Sequence, residues 1–352
     1  MRTTIKRLVI GLLFGLIALF AHAQATQAAQ PVADFAMTII PPDNQADKQL
    51  SYFDLVVQPK QQQDLQIKLV NHKDKPIKVR VQTNTATTNV NGVVNYSDNV
   101  NQSDKTLKYP LGKHLKPAKK NITLTAHEQK VVNIRLSAPD KAFKGQLVGG
   151  ISATEVPTTA KTTQQISVRN KFAYAVAVVA RSNDQSVTPE FKLGAVKTGQ
   201  HMGTNQIIAN IRNVQPKFQN QTSLNAFVTK RNQKTKLYQT EKKQVQFAPN
   251  SVMQFYLPLN DRFKPGRYTL DLTVRSEGRT WHFTRHFTIS RQAAAAKWNQ
   301  QDVSLTPETD YWPYILAGLT LILLILAYVY WRYRKKQKEN QALKDEIDRL
   351  KS

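Results

Sequence analysis

Between residues 50 and 290 the hydrophobic positions recur with a period of two. Leu65, Ile67 and Leu69 alternate with Asp64, Gln66 and Lys68, and Ile77, Val79 and Val81 alternate with Lys78 and Arg80. The polar cluster Asn71-His72-Lys73-Asp74-Lys75-Pro76 separates the two runs. Such alternation suits strands buried on one face, and Asn, Asp and Pro supply turn chemistry. The spacing predicts a β-meander over 52–81. Further strands are expected within 121–139, where Val132, Ile134 and Leu136 share a face, and within 145–156 and 166–180. A turn-rich break at 181–189 is followed by seven more short segments up to residue 290, and helical periodicity is nearly absent throughout. Short strands at this spacing, separated by Pro, Gly and Asn, predict an all-β chain of two tandem immunoglobulin-like β-sandwich domains, over 30–180 and 181–290. Tyr268 follows a corner at Pro265-Gly266. In many sandwiches a tyrosine there ties back to the backbone; an ordinary cross-strand aromatic is the other reading.

The two ends break the pattern. Arg2, Lys6 and Arg7 precede an apolar run over 8–20, then a small-x-small site at Ala21-His22-Ala23 or Ala23-Gln24-Ala25. This reads as a secretory signal peptide over 1–29. From Trp312 to Trp331 no charge interrupts about twenty residues, enough at ~1.5 Å each to cross a hydrocarbon core of ~30 Å. Trp312, Tyr314, Tyr330 and Trp331 flank that run, and Arg332, Arg334, Lys335, Lys336 and Lys338 follow it. Aromatic belts and retained basic residues predict a transmembrane helix with residues 30–311 outside and a basic cytoplasmic tail over 332–352. Leu343, Ile347 and Leu350 give that tail helical spacing, too short for a coiled coil alone. Residues 291–311 lack alternation and read as a stalk, with a short helix at the alanine run.

Charge narrows the partners. The chain carries 50 Lys and Arg against 24 Asp and Glu, a net +26. Setting aside the three basic residues of the leader, and the eight basic and four acidic residues from 312 onward, leaves 39 basic and 20 acidic residues, a net +19 in the exported part. An external positive field points to anionic wall polymers or acidic proteins, and not to nucleic acid. Edge lysines that keep strands from pairing with other chains explain many of the same positions. The absence of cysteine fits an exported Gram-positive protein with cores large enough to do without disulfides, and removes thiol chemistry.

Candidate catalytic motifs fail on context. Ser97-Asp98-Asn99 and Lys197-Thr198-Gly199 match two boxes of penicillin-binding enzymes, but no serine in the chain has a lysine three residues later. His282 and His286 have a zinc-chelating interval on a helix; on a strand four residues extend ~13 Å, too far for one metal. Gly149-Gly150 lacks the later glycines and the helix of a phosphate cradle, so close backbone packing is the expectation. No cofactor or metal is expected, and no convergent set of nucleophile, base and orienting group is visible, so the chain reads as a non-enzyme.

Five ordered stretches, at 35–45, 51–79, 84–98, 107–112 and 138–151, resemble the first domain of the WxL-interacting proteins, a family of Gram-positive surface proteins. Residues 205–216, 224–232, 251–276 and the terminal span resemble its second domain. The resemblance implies a first domain associated with peptidoglycan, a second with host extracellular-matrix proteins, and partnership with WxL-domain proteins. Residues 83–105 are rich in Asn, Thr and Ser, able to bond sugar or peptide groups, while Asn91-Gly92 is also a hairpin signal. Asn89, Asn91, Tyr96, Lys108 and Tyr109 are the candidate wall-binding residues. The leading expectation is a membrane-anchored scaffold or adhesin subunit. A non-catalytic subunit of an envelope sensor or transport system, and a wall-modifying enzyme, are the alternatives.

Overall fold

The computed structural model describes residues 34–97, 102–156, 173–291, 298–299, 302–305 and 312–351. The signal-peptide reading, Asp98 and Asn99, the first part of the strand expected over 166–180, and the alanine run lie outside these residues.

The first eleven strands are β1 (Phe35–Ile40), β2 (Phe53–Val56), β3 (Gln62–Asn71), β4 (Ile77–Thr85), β5 (Thr87–Thr88), β6 (Val94–Asn95), β7 (Leu115–Pro117), β8 (Asn121–Leu124), β9 (Gln129–Ser137), β10 (Leu147–Val156) and β11 (Ala173–Arg181). One sheet has the order β1-β3-β9-β7; the facing sheet has β2-β11-β10-β4-β8, antiparallel except where β2 runs parallel to β11. Alternate residues meet between the sheets: Leu65, Ile67 and Leu69 on one side, Val79, Val81 and Ile151 on the other, all fully buried.

The meander expected over 52–81 does not form. β3 pairs with β1 and β9, whereas β4 pairs with β10 and β8, so the chain between them crosses from one sheet to the other. Side-chain alternation fixes which face is buried but not which strand is the neighbour. Buried Asn71 holds the corner: its amide donates to the carbonyls of Lys75 and Thr125, and its side-chain oxygen accepts from the Lys73 N–H. Gly149 and Gly150 serve close packing, as expected, because a Cβ on Gly150 would overlap the backbone of Tyr96.

Seven strands build the second sandwich: β12 (Phe191–His201), β13 (Thr204–Asn213), β14 (Gln219–Lys230), β15 (Lys236–Phe247), β16 (Ser251–Pro258), β17 (Gly266–Ser276) and β18 (Arg279–Ile289). Sheets β12-β13-β16 and β15-β14-β17-β18, antiparallel throughout, enclose Ile207, Ile211, Phe255, Leu224, Leu270 and Leu272. Tyr268 is 1% exposed and its hydroxyl donates to the Lys264 carbonyl at 2.9 Å, four residues upstream. The tie-back is therefore the correct one of the two readings. His282 and His286 are exposed on β18, and their Nδ1 atoms lie against Thr273 and Thr269.

The described part of the segment read as a stalk is docked on the second sandwich. Trp298 packs on Phe263, the Asn299 side-chain oxygen accepts from Asn205 and from the Phe263 N–H, and Asp302, 3% exposed, accepts from the Asn205 N–H at 2.8 Å. The short helix α1 (Leu111–His114) was not signalled by periodicity; α2 (Trp312–Lys351) runs without a break from the apolar stretch through the tail. Its apolar part is long enough to cross a bilayer, and Arg334 and Lys335 lie over the rings of Tyr330 and Trp331 at its basic end.

Replacing Tyr268 with Phe removes one bond to a carbonyl while keeping the ring. The expected cost is about 1 kcal/mol, seen as a lower urea midpoint at unchanged slope; an unmoved midpoint would show that the hydroxyl contributes nothing.

Candidate functional site

The candidate site is the junction of the two sandwiches, and the segment 83–110 builds most of it. β5 and β6 form the hairpin signalled by Asn91-Gly92: the Asn89 N–H donates to the Val93 carbonyl, and Gly92 adopts φ +77°. The hairpin lies against the second sandwich. Gln246 N–H donates to the Gly92 carbonyl at 2.7 Å, Lys242 Nζ to the Val90 carbonyl at 2.9 Å, and a Cβ on Gly92 would sit 2.8 Å from Val245 Cγ1. Burial lowers the Lys242 pKa.

Beneath the hairpin, Thr88 and Ser251 are fully buried with their oxygens 2.7 Å apart. Ser251 donates to the Ala248 carbonyl and Thr88 Oγ1 accepts from the Ala248 N–H, so the Thr88 proton points to Ser251 and both hydroxyls are satisfied. Ala86, Val94, Val148 and Ala248 make a small apolar cluster around them.

Residues 102–104 run beside the edge of β16: Val252 N–H donates to the Gln102 carbonyl and Asp104 N–H to the Asn250 carbonyl. Asp104 then meets Arg212 of β13 with two bonds, 2.6 Å from Nε and 3.0 Å from an Nη. The aspartate side chain is 1% exposed and the arginine 20%. Burial alone would raise the Asp104 pKa, but hydrogen bonds from Arg212 and Thr106 outweigh it and hold the carboxyl below its ordinary value. On the other flank Gln146 N–H donates to the Pro216 carbonyl at 2.7 Å. Gly145, at φ +72°, lets Pro216 come that close, because any Cβ there would overlap the Pro216 oxygen.

Among the described residues, three of the depressions that border this junction draw lining from both sandwiches. The largest, about 740 Å³, is lined by Lys108, Tyr109, Lys141, Phe143 and Lys144 of the first sandwich, by Val214, Gln215, Pro216 and Asn250 of the second, and by residues 185–188 between them. Tyr109 and Phe143 have ring centroids 6.5 Å apart. The three lysines are exposed, and no carboxylate belongs to the lining. A neighbouring depression shares Gln185, Ser186, Val187 and Pro216 with it and shares Gln146 and Phe218 with a third, of about 330 Å³. That third one is walled by Tyr52, Tyr96 and Phe218 with Asp54, Gln146, Asn220 and Gln246. Burial, then the neighbouring Tyr52, raises the Tyr96 phenol.

The five residues singled out from the sequence are thus dispersed. Asn89 accepts from the N–H groups of Asn91 and Val93, so its side-chain oxygen shapes its own turn; Asn91 is exposed beside it. Tyr96 lies in the smaller depression, and Lys108 with Tyr109 in the larger. Sequence reading did not single out Lys141, Phe143 or Lys144, although 138–151 was one of the stretches resembling the family, and it read 181–189 as a break between domains and not as part of a cleft. Among the described residues no cluster of His, Asp and Glu is arranged to hold a metal ion.

A tandem sandwich with open clefts and an apolar terminal helix is the build of a surface binding protein. Residues 35–155 match the peptidoglycan binding domain of the WxL Interacting Protein, and residues 163–300 match its host binding domain. The chain belongs to the WxL-interacting protein family, and is a cell-surface binding protein made of those two domains. No curated protein matches it. Similar solved structures include the YadV chaperone (11% identity, 72% of this chain and 100% of that one, TM-score 0.31). Another is Salmonella enterica SafA pilin in complex with the SafB chaperone (10%, 74% and 99%, TM-score 0.30), and a third the E. coli chaperone DraB (12%, 73% and 98%, TM-score 0.28).

Asp104→Ala is expected to weaken the junction by ~2–5 kcal/mol, towards the lower figure because Arg212 keeps contact with water. Calorimetry of the variant should resolve separate melting of the two sandwiches; a trace like that of the parent would mean that other contacts hold them. The Asp104 contribution is complete above the ordinary aspartate value of 3.8 and is lost as pH falls through the lowered folded value. The junction should therefore keep its strength from pH 7 to about 4 and loosen only in stronger acid.

Proposed function

We propose that this protein is a membrane-anchored scaffold at the Gram-positive cell surface, binding peptidoglycan through its first domain, host matrix proteins through its second, and WxL-domain proteins as partners. The order of parts along the chain carries the reading: a wall-binding domain, a host-binding domain, then a helix able to span a bilayer. On this reading residues 1–29 are a cleaved leader, α2 crosses the cytoplasmic membrane near residues 312–331, and the basic residues after it stay inside. Only residues 306–311 separate Leu305, three positions after the docked Asp302, from α2, and the seven steps from 305 to 312 reach ~25 Å at most. The second sandwich then sits close to the membrane.

The wall contact follows the depressions at the junction. Aromatic rings beside amides, as at Tyr52, Tyr96, Phe218 and Asn220, suit a sugar ring with its hydroxyls. Lys108 and Tyr109 lie in the larger depression, and exposed Asn91, on the turn that Asn89 shapes, is a further candidate contact on the hairpin. The net positive charge of the exported part supplies attraction at a distance. Catalysis is not part of the proposal, since both matched domains are binding domains.

Pulldown on purified peptidoglycan tests the wall reading. Tyr96→Ala with Tyr109→Ala is expected to reduce retention several-fold at a salt concentration where exposed charges are screened beyond ~8 Å; retention equal to the parent, with an unchanged melting temperature, would discard these residues. Crosslinking on intact cells tests the partner reading, with a secreted WxL-domain protein as the expected capture and none as the result against it.

A further inference from the structure

The larger depression has features that a sugar chain does not require. Lys108, Lys141 and Lys144 put three ammonium groups around it with no carboxylate in the lining, so its natural ligand carries carboxylates or phosphates. Residues 185–188 line it outside any sheet; the Gln185 N–H is held by the Asn183 side chain, and among the described residues the backbone groups of 186–188 pair with no other backbone group. Such a chain offers N–H and C=O groups to a ligand that also has amides, which a polyol phosphate lacks. Tyr109 and Phe143 supply an apolar wall for small side chains. The volume of about 740 Å³ is that of a site for a compact ligand of a few residues, not for a protein surface.

We propose that this cleft binds the short acidic stem peptide of peptidoglycan. The lysines take its carboxylates, the backbone of 186–188 takes its amides, and Tyr109 with Phe143 covers its alanine methyl groups. The cleft is closed on one side by Val214, Gln215, Pro216 and Asn250. Wall recognition is therefore shared: the second domain completes a site that the first begins. This rests on the wall-binding reading above and gives it a chemical subsite.

The test uses the full chain in detergent and a synthetic N-acetylated pentapeptide of L-alanine, γ-linked D-glutamate, L-lysine and two D-alanines, with fluorescein on the lysine amine. Fluorescence anisotropy should show saturable binding that unlabelled peptide reverses. The double variant Lys141→Glu/Lys144→Glu should weaken it at least tenfold at an unchanged melting temperature, with Lys141→Gln/Lys144→Gln as the milder pair should the first fold poorly. Peptide-free glycan strands, polyglycerol phosphate and hexaglutamate should compete at least tenfold less well than the pentapeptide. Equal binding by the variants overturns the proposal, as does equal or better competition by any of the three. Better competition by hexaglutamate would assign the cleft to an acidic protein segment. Retention on whole peptidoglycan is measured in parallel: retention without pentapeptide binding removes the subsite and leaves the wall reading, and loss of both removes both.

Discussion

The buried pair of Asp104 and Arg212 is the constraint on which the arrangement of the two sandwiches depends. A carboxylate taken out of water is unfavourable unless it is fully hydrogen-bonded and paired, and Asp104 meets both conditions, with Arg212 on two sides and Thr106 supplying an N–H and a hydroxyl. These bonds are available in one relative placement only. Apolar contact at the junction is small, four buried side chains and three partly buried ones, and apolar attraction alone would tolerate sliding. The ion pair, with the Thr88–Ser251 hydroxyl pair beside it, turns adhesion into register.

That register creates the clefts. Neither sandwich presents them alone, since each depression draws lining residues from both sides of the 182–190 linker. Gly145 and Gly92 are where the two surfaces come too close for a side chain, one beneath Pro216 and the other against Val245. Backbone at these points is fixed by contact with the other domain, so the clefts have firm walls even where their lining is a linker outside any sheet. A preformed site loses less conformational entropy when a ligand arrives.

Much of the fold was legible from alternation. The buried faces of β3, β4 and β9 were marked residue by residue, because a sheet covered on one side forces polar and apolar positions to alternate. Pairing was not legible: the β3–β4 step has the pattern of a hairpin and makes a change of sheet, decided by the buried amide of Asn71 and its reach to Thr125, 54 residues away. The site was legible only in fragments for the same reason. Asp104 sits in a polar stretch with no periodicity, and nothing local couples it to Arg212, 108 residues later. Asn89 and Asn91 carry a turn signature that the structure uses for a turn, whereas Lys141 and Lys144 look like ordinary solvated lysines until the linker is seen beside them.

Charge and shape then divide the work of recognition. An excess of positive charge spread over residues 30–311 draws any polyanion, but beyond ~8 Å salt screens it, so it governs approach and not choice. Choice requires groups held at fixed separations. Lys141 and Lys144 gain that from the β9–β10 loop, where Phe143 packs on the first core and its N–H donates to Ser182 Oγ at the start of the linker. The loop is thus tied to the linker, and through the Gln146 N–H to the Pro216 carbonyl it is also tied to the second sandwich. A ligand that bridges them reads the relative position of the two domains, and that position is what Asp104 and Arg212 set.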